Sequence, residues 1–414
     1  MRQAALIAVS IGLAHTGVTT AQIGDYEVLM YLMYLLTFFW VSGAVQGLLV
    51  LFPNLDTEKR ANLFGQAFGV FSLLSVGIAA LLWQSSSLYE WMSGQRPSVY
   101  TGWFVGYLAT AIPAVLVEHF LLLEKRTQAL LSYAVLANIA LAAAVLLPLV
   151  LGFDFIWSFI SLALVGVSRW VLLLFLVLQQ GRFRIDKAVL NHWWRIAWPL
   201  ALYALVSVTN QSVGVWMTGH YYPDDATAFA VYRYGARELP FLNALSMAVA
   251  TAAIPAIAAA LSTGVRELRS ETTKLIHLLG MGGSVLMGTA NDWFPLVFSE
   301  RFRESIPLFR IYLLLIPVQL IFARSVLVAL KDTLRLPLLA SGSVIVHLLL
   351  GFVLGAFWGL EGIVLATVLA YATEKLLLVL LLWYRHGVAP WQYVHIKWWL
   401  FYTALMLVVW YWQW

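Results

Sequence analysis

Apolar runs of about twenty residues recur along almost the whole chain, separated by short polar connections. A bilayer core of about 30 Å is crossed by about 20 apolar residues in a helix. On that measure spans fall at 3–20, 28–52, 61–83, 99–123, 129–151, 155–178, 196–218, 227–261, 273–298, 305–330, 336–358 and 363–384, with a short one at 398–413. Runs such as LALVGVSRWVLLLFLVL do not alternate, so they predict helices rather than barrel strands. The expected fold class is all-α integral membrane, with 12–13 transmembrane helices in two six-helix lobes. The first lobe is expected over 1–178 and the second over 196–384. Between them, 179–195 (QQGRFRIDKAVLNHWWR) reads as a cytoplasmic amphipathic linker lying on the membrane surface. A C-terminal extension, 385–414, carries the last apolar stretch, which is either a full span or half of a hairpin.

Charge supports this layout. With the N-terminus inside, sixteen Lys and Arg residues fall on inner connections, among them Lys59, Arg60, Lys125, Arg126, Lys187, Lys274, Lys331, Arg335 and Arg385. Only Arg96, Arg301 and Arg303 fall outside. The positive-inside rule therefore predicts a multi-pass protein with a cytoplasmic N-terminus. The net charge of +5 reports this topology and not a nucleic-acid partner. Its inner loops meet anionic lipid headgroups. The first 22 residues, MRQAALIAVSIGLAHTGVTTAQ, also have the layout of a cleavable secretory signal, so the first span is read either way.

Composition excludes a soluble globule. The chain is 62% hydrophobic and 11% charged, against roughly a quarter charged in water-soluble domains. With no cysteine, disulfides and thiolate metal sites are out, and no metal or cofactor is expected. No GxxxxGK[ST], HExxH or GxSxG motif occurs, and no connection is long enough for a soluble active site, so no enzyme is expected.

The informative residues are ionisable ones inside the spans: Arg169, Arg233, Arg237, Arg310, Arg324 and Lys375, with Glu118, Glu238, Asp292 and Glu374. Each costs about 2.5–3.5 kcal/mol to insert, so they are expected to face a hydrated cavity or partners. The cations outnumber the acids. Arg233 and Arg237 are four apart, which on one helix puts both on one face. Arg310 and Arg324 are fourteen apart and also come near one face, with Pro317 bending the helix between them. A positive interior implies an anionic cargo, and guanidinium forks suit phosphate oxygens. Arg169, Arg237 and Arg324 are thus the first candidates for cargo contact, followed by Arg233 and Arg310. Glu118 (with His119), Asp292 and Glu374 are candidates for ion coupling. Asp292–Arg310 reads equally as a structural pair. Pro113, Pro199, Pro240, Pro255, Pro317 and the glycines 280, 282 and 283 are candidate helix breakers. Trp83, Trp91, Trp103, Trp157, Trp293, Trp358 and Trp383 are expected as interface anchors near span ends.

The run IGDYEVLMYLMYLLTFFWVSGAVQGLLVLFP (23–53) resembles the first-loop and second-span region of polysaccharide flippases, including the O-antigen translocase-like ones. These belong to the multidrug/oligosaccharidyl-lipid/polysaccharide exporter group. AVYRYGARELPFLNALSMAVATAAIPAI (230–257) resembles their seventh and eighth spans. The stretches 294–339 and 355–380 resemble their ninth to twelfth. The resemblance implies two lobes around a central cavity and a flippase of the bacterial cytoplasmic membrane. Such a protein moves an undecaprenyl-diphosphate-linked oligosaccharide to the outer leaflet by alternating access, for lipopolysaccharide or other polysaccharide biosynthesis. The implied partners are the lipid-linked anionic oligosaccharide, membrane lipids, and polymerase and glycosyltransferase machinery. The first span is short and lacks a basic amphipathic leader, which implies an altered start site or a loosely held first helix. Two competing readings remain. One is a cation-coupled drug antiporter of the same superfold, which calls for an acidic cavity. The other is a membrane oligosaccharide polymerase or ligase, which calls for a long outer loop.

Overall fold

A computed structural model describes residues 2–180, 186–237, 239–332 and 335–413. Every element among them is helical. Eight helices among the described residues are long and apolar enough to cross a bilayer. The chain divides into two compact units. The first comprises residues 1–209 with 222–230, and the second 210–221 with 231–414.

The first unit begins with α1 (Arg2–Ala14) and α2 (Thr20–Leu51). α1 has thirteen residues and buries Val9 and Leu13, and its Gly12 lies against Leu146, so the first helix is packed and not loosely held. α2 starts eight residues before the expected span. Thr19 caps it in a reciprocal pair with Gln22, each accepting the other's backbone N–H. Asp25 and Glu27, which look like loop residues in a hydropathy count, therefore lie in the first turns of this helix, and Glu27 is buried.

α3 (Thr57–Gln84) is capped by Asp56, whose Oδ1 accepts from the Lys59 backbone N–H at 2.9 Å. That N–H and the Lys59 ammonium hold the Asp56 carboxyl below the usual carboxylate range. Arg60 donates from Nε and Nη2 to the carbonyls of Phe52 and Pro53 in the 3₁₀ turn that follows α2.

After α4 (Ser86–Ser93), Pro113 divides the next span into α5 (Thr101–Ala111), a 3₁₀ turn at 113–115 and α6 (Leu116–Leu123). α7 (Thr127–Val150) and α8 (Ile156–Gln180) follow. α8 shows the inversion that a lipid solvent demands. Leu164, Val167, Val171, Phe175 and Leu178 recur at helical spacing and are exposed, whereas Phe159, Leu162, Leu173 and Val177 are fully buried.

α9 (Lys187–Tyr221) is 35 residues long, so residues 187–195 of the expected surface linker are the first turns of a span. Residues 181–185 of that linker lie outside the described residues. The Trp pair divides its roles. Trp193 is buried and donates to the Ala44 carbonyl at 2.8 Å, while exposed Trp194 stacks on Trp198. The unit's inner core joins α2, α3, α6, α8 and α9, with Phe64 at 4.0 Å centroid distance from Phe120.

In the second unit, three expected single spans are broken. The 227–261 span becomes α10 (Ala226–Gly235) and α11 (Pro240–Ala259). Pro240 cannot continue a helix from before it, and Leu239 adopts extended backbone (φ −76°, ψ 117°). The 273–298 span becomes α12 (Leu261–Gly288) and α13 (Ala290–Phe298). Gly280 and Gly283 do not break α12. They admit Tyr402 and Met406 of the last helix against its backbone. The 305–330 span is three short helices, α14 (Ser305–Leu313), α15 (Leu315–Gln319) and α16 (Ala323–Ala329).

α17 (Leu336–His386) consists of two helical arms that meet in a reversal at Gly359, whose φ of 57° and ψ of −133° no helix contains. Its arms run antiparallel. Ser343 bonds the Ala370 carbonyl, His347 meets Thr367, and a Cβ on Gly362 would overlap the Leu354 carbonyl. The two spans expected at 336–358 and 363–384 are these arms. After α18 (Pro390–Tyr393), α19 (Ile396–Gln413) packs along α12. Of the expected Trp anchors, Trp83, Trp91, Trp103, Trp157, Trp358 and Trp383 are exposed. Trp293 instead donates to the Leu286 carbonyl.

Close helix contact through glycine is testable in the first unit. A Cβ on Gly24 would meet the Ala226 carbonyl oxygen at 1.8 Å, whereas one on Gly69 would meet nothing within 4 Å. Gly24→Ala is expected to cost about 1–3 kcal/mol. Gly69→Ala is expected to leave the thermal midpoint of the solubilised protein unchanged or higher.

Candidate functional site

The structure distributes the predicted cations over distinct surroundings. In the first unit, Arg169 sits on α8, half-buried. Its Nε donates to the Tyr133 hydroxyl at 2.9 Å, and the guanidinium carbon lies 5.7 Å from that ring. The Glu118 carboxylate acts on it electrostatically. Glu118 is thus a counter-charge to Arg169, with Tyr133 between two helices as the fixed acceptor. His119 turns away to its own helix, with Nδ1 2.9 Å from the Val115 carbonyl.

Five of the predicted cations lie in the second unit. α10 ends at Gly235, so Arg233 and Arg237 do not share a helix face as expected. Arg233 lies in the last turn of α10 and acts on the Tyr232 hydroxyl. Arg237 lies in the connection that follows, with its guanidinium 5.2 Å from the Tyr234 ring. That ring stacks on Phe302 at 3.7 Å, which fixes the platform. Glu238 lies outside the described residues.

Arg310 and Arg324 do not share a helix face either, because the backbone departs from the helix at Leu314, Leu320 and Phe322. Arg310 is buried, and all three of its nitrogens are used. Nε donates to the Met287 carbonyl at 3.2 Å, Nη1 to the Gln413 carbonyl at 3.2 Å, and Nη2 to Gln413 Oε1 at 2.9 Å. The expected Asp292–Arg310 pair does not form, since Asp292 is exposed in the first turn of α13. Backbone carbonyls near the end of α12 and α19 replaced the carboxylate, because helix ends leave unpaired carbonyls that a buried guanidinium satisfies.

Arg324, at the start of α16, is exposed. It and Lys375, on the second arm of α17, act on one another as like charges, with Glu374 acting on Lys375 as the counter-charge. Lys375 is thus under the influence of one acid and one further cation. This is the arrangement among the described residues that answers most directly to the positive surplus in the sequence.

Two polar clusters were not foreseen. Asp332, between α16 and α17, accepts from Arg385 Nε at 3.2 Å and pairs with His386 Nε2 at 2.9 Å, with Arg335 at 3.8 Å. It ties the entry of the α17 hairpin to its exit. The second cluster surrounds His347 at the centre of the hairpin. Nδ1 lies 3.4 Å from Asn210 Oδ1 and Nε2 lies 3.0 Å from Thr367 Oγ1. Among the described residues no group of three or more His, Cys, Asp or Glu side chains is placed to hold a metal ion.

The sequence matches no family model and none of the curated proteins. Its fold, however, is that of solved membrane transporters. It is similar to a lipid II flippase MurJ in an inward-closed conformation, with a TM-score of 0.74 over 99% of this chain and 90% of that one, at 14% identity. An inward-facing multidrug resistance MATE family transporter of the MOP superfamily matches with a TM-score of 0.64 over 94% of both chains, at 14% identity. A MOP superfamily transporter from Pyrococcus furiosus, described by the reversed polarity of its binding pocket, matches at 0.54 over 92% and 91%, at 15% identity. These likenesses establish the all-helical transporter fold of a multi-pass membrane protein.

The Arg310 clamp gives a direct check. Arg310→Ala removes bonds from a charged donor to two helix ends and is expected to cost at least about 2 kcal/mol. Amide hydrogen exchange across 396–413 should accelerate in this variant and stay unchanged in Asp292→Ala. Equal effects of the two would restore the carboxylate pairing.

Proposed function

We propose that this protein is a flippase of the bacterial cytoplasmic membrane, with its N-terminus in the cytoplasm. Its cargo is an undecaprenyl-diphosphate-linked oligosaccharide, carried from the inner to the outer leaflet by alternating access for polysaccharide export of the O-antigen type. The observation that carries this reading is that two cations, Arg324 and Lys375, act on one another beside Glu374. Like charges within a membrane protein repel strongly because little water screens them. A diphosphate relieves that repulsion and offers more acceptor oxygens than a carboxylate. Arg324 supplies a planar donor fork and Lys375 a mobile point charge. In the first unit, Arg169, held by Tyr133, is a further candidate for cargo contact, and Glu118 acts on it electrostatically. Arg237 and Arg233 follow as weaker contacts. Arg310, with every nitrogen committed, is assigned to hold α19 rather than cargo. Glu374 and Glu118 then balance cation charge while the site is empty, and Asp292, exposed and remote from Arg310's bonds, is the weakest coupling candidate.

The fold of a lipid II flippase is consistent with a lipid-linked cargo. Polymerase and glycosyltransferase machinery are the expected partners, as suppliers and consumers of the chain being moved. One observation favours a second reading, a cation-coupled drug antiporter: the buried Glu27 near the start of α2.

Reconstitution separates the two. In proteoliposomes, a fluorescent polyprenyl-diphosphate disaccharide should be flipped by the wild type. Arg324→Ala and Lys375→Ala should each slow it about tenfold or more, the loss of one charge-assisted bond, with membrane insertion intact. Wild-type rates from both variants, or efflux of a rhodamine dye without flipping, would overturn the proposal in favour of the antiporter.

A further inference from the structure

The α17 hairpin carries at its centre a polar network that the transport reading leaves without a role. His347 is 1% exposed and sits on the first arm, in the apolar run SVIVHLLLGF. Its two ring nitrogens meet oxygens of two other segments, Asn210 of α9 and Thr367 of the second arm. Asn210 Nδ2 donates to Ser343 Oγ at 3.4 Å, which orients its amide so that Oδ1 faces the ring. Ser343 Oγ donates in turn to the Ala370 carbonyl. An amide oxygen only accepts, so Nδ1 of His347 carries the proton toward Asn210. Nε2 then has a free lone pair in the neutral ring.

The partner of that lone pair is ambidextrous. Thr367 Oγ1 lies 3.0 Å from Nε2 and 3.1 Å from the carbonyl of Ile363 in its own helix. With the ring neutral, the hydroxyl donates to Nε2. With a proton bound at Nε2, the ring donates to Oγ1, and the hydroxyl hydrogen swings to Ile363. Every donor keeps an acceptor in both states, and the only rearrangement is one hydroxyl rotation. The Ile363 carbonyl is the back-bonding acceptor that helical threonines commonly use, and here it stands ready to take the hydroxyl hydrogen. The Tyr232 hydroxyl of α10 also bonds Thr367, and Gly214 leaves it room against α9. The surrounding elements present Asn210 from α9, Tyr232 and Arg233 from α10, and Ser343 and Thr367 from the two arms. Among the described residues no carboxylate pairs with His347, and the imidazole fills the centre where a metal ion would have to sit.

From this geometry we infer that His347 is a proton-binding site, taking one proton at Nε2 with Thr367 as the switching acceptor. Bound or released, that proton reverses the direction of the hydrogen bond joining the two arms across the Gly359 reversal. Resting on the flippase reading, this makes the proton the coupling ion and His347 its site, in place of the acids that the sequence suggested.

The test reads the proton directly and needs no cargo. The full chain, labelled with ¹⁵N-histidine and held in lipid nanodiscs, is titrated by NMR, with His347 assigned by its absence in His347→Gln. The expected result is a neutral Nδ1–H ring that converts to imidazolium in one step between about pH 4 and 8. Thr367→Val should weaken proton binding about tenfold, the loss of one bond to a charged donor, and Thr367→Ser should restore it. A ring that stays neutral throughout, or a Thr367→Val protein titrating with the wild type, would overturn the site. If His347 titrates as described but the diphosphate probe is not flipped by the wild type, the proton site stands and the flippase reading fails instead.

Discussion

A bilayer interior offers no water, so every backbone and side-chain polar group inside it must be satisfied by the protein itself. This constraint decides where the helices of this chain are whole, where they break, and which polar residues are allowed within them. The lipid-facing stripe of α8 is one consequence. Arg60 bonding carbonyls of the turn that follows α2, and Arg310 holding carbonyls at the ends of α12 and α19, are others. In each case a guanidinium with several donors meets backbone carbonyls where a helix ends. Arginine so used is part of the frame, and only cations left over from framing are available to a ligand.

That distinction sorts the charged residues. Arg310 belongs to the frame. Arg169 is held by Tyr133 and balanced by Glu118, and remains half-buried. Arg324 and Lys375 act on one another as like charges beside Glu374, and Arg324 is exposed. The Asp332 cluster plays a different part. It joins a residue that precedes the α17 hairpin to Arg385 and His386 at its far end. The His347 network lies in the middle of the hairpin.

Much of this was legible in the sequence. The spans, their helical nature and the two arms of α17 follow from apolar run length alone, because run length is set by bilayer thickness. The start of α2 was misplaced because Asp25 and Glu27 depress local hydropathy, although the Thr19-x-x-Gln22 capping signal stood in plain view. The breaks at 236–239 and along 305–329 were not legible as breaks. Proline within a membrane helix either kinks or ends it according to what packs nearby, and Pro199 and Pro255 are accommodated inside helices where Pro240 is not. Once those breaks exist, face arguments based on residue spacing fail, which is why the Arg233–Arg237 and Arg310–Arg324 pairings did not survive. His347 was visible as a lone polar residue in an apolar run, but its partner Asn210 is 137 positions away. Spacing carries no information over that distance.

The central claim is that the cations Arg324 and Lys375 recognise a lipid diphosphate. The most direct measurement is the thermal unfolding of the solubilised protein with added ligand, since binding to the folded state alone raises its stability. A polyprenyl diphosphate should raise the midpoint more than the matching monophosphate, and the gain should vanish when both cations are replaced by alanine. Equal stabilisation by the two lipids, or a gain that survives in the double variant, would contradict the account.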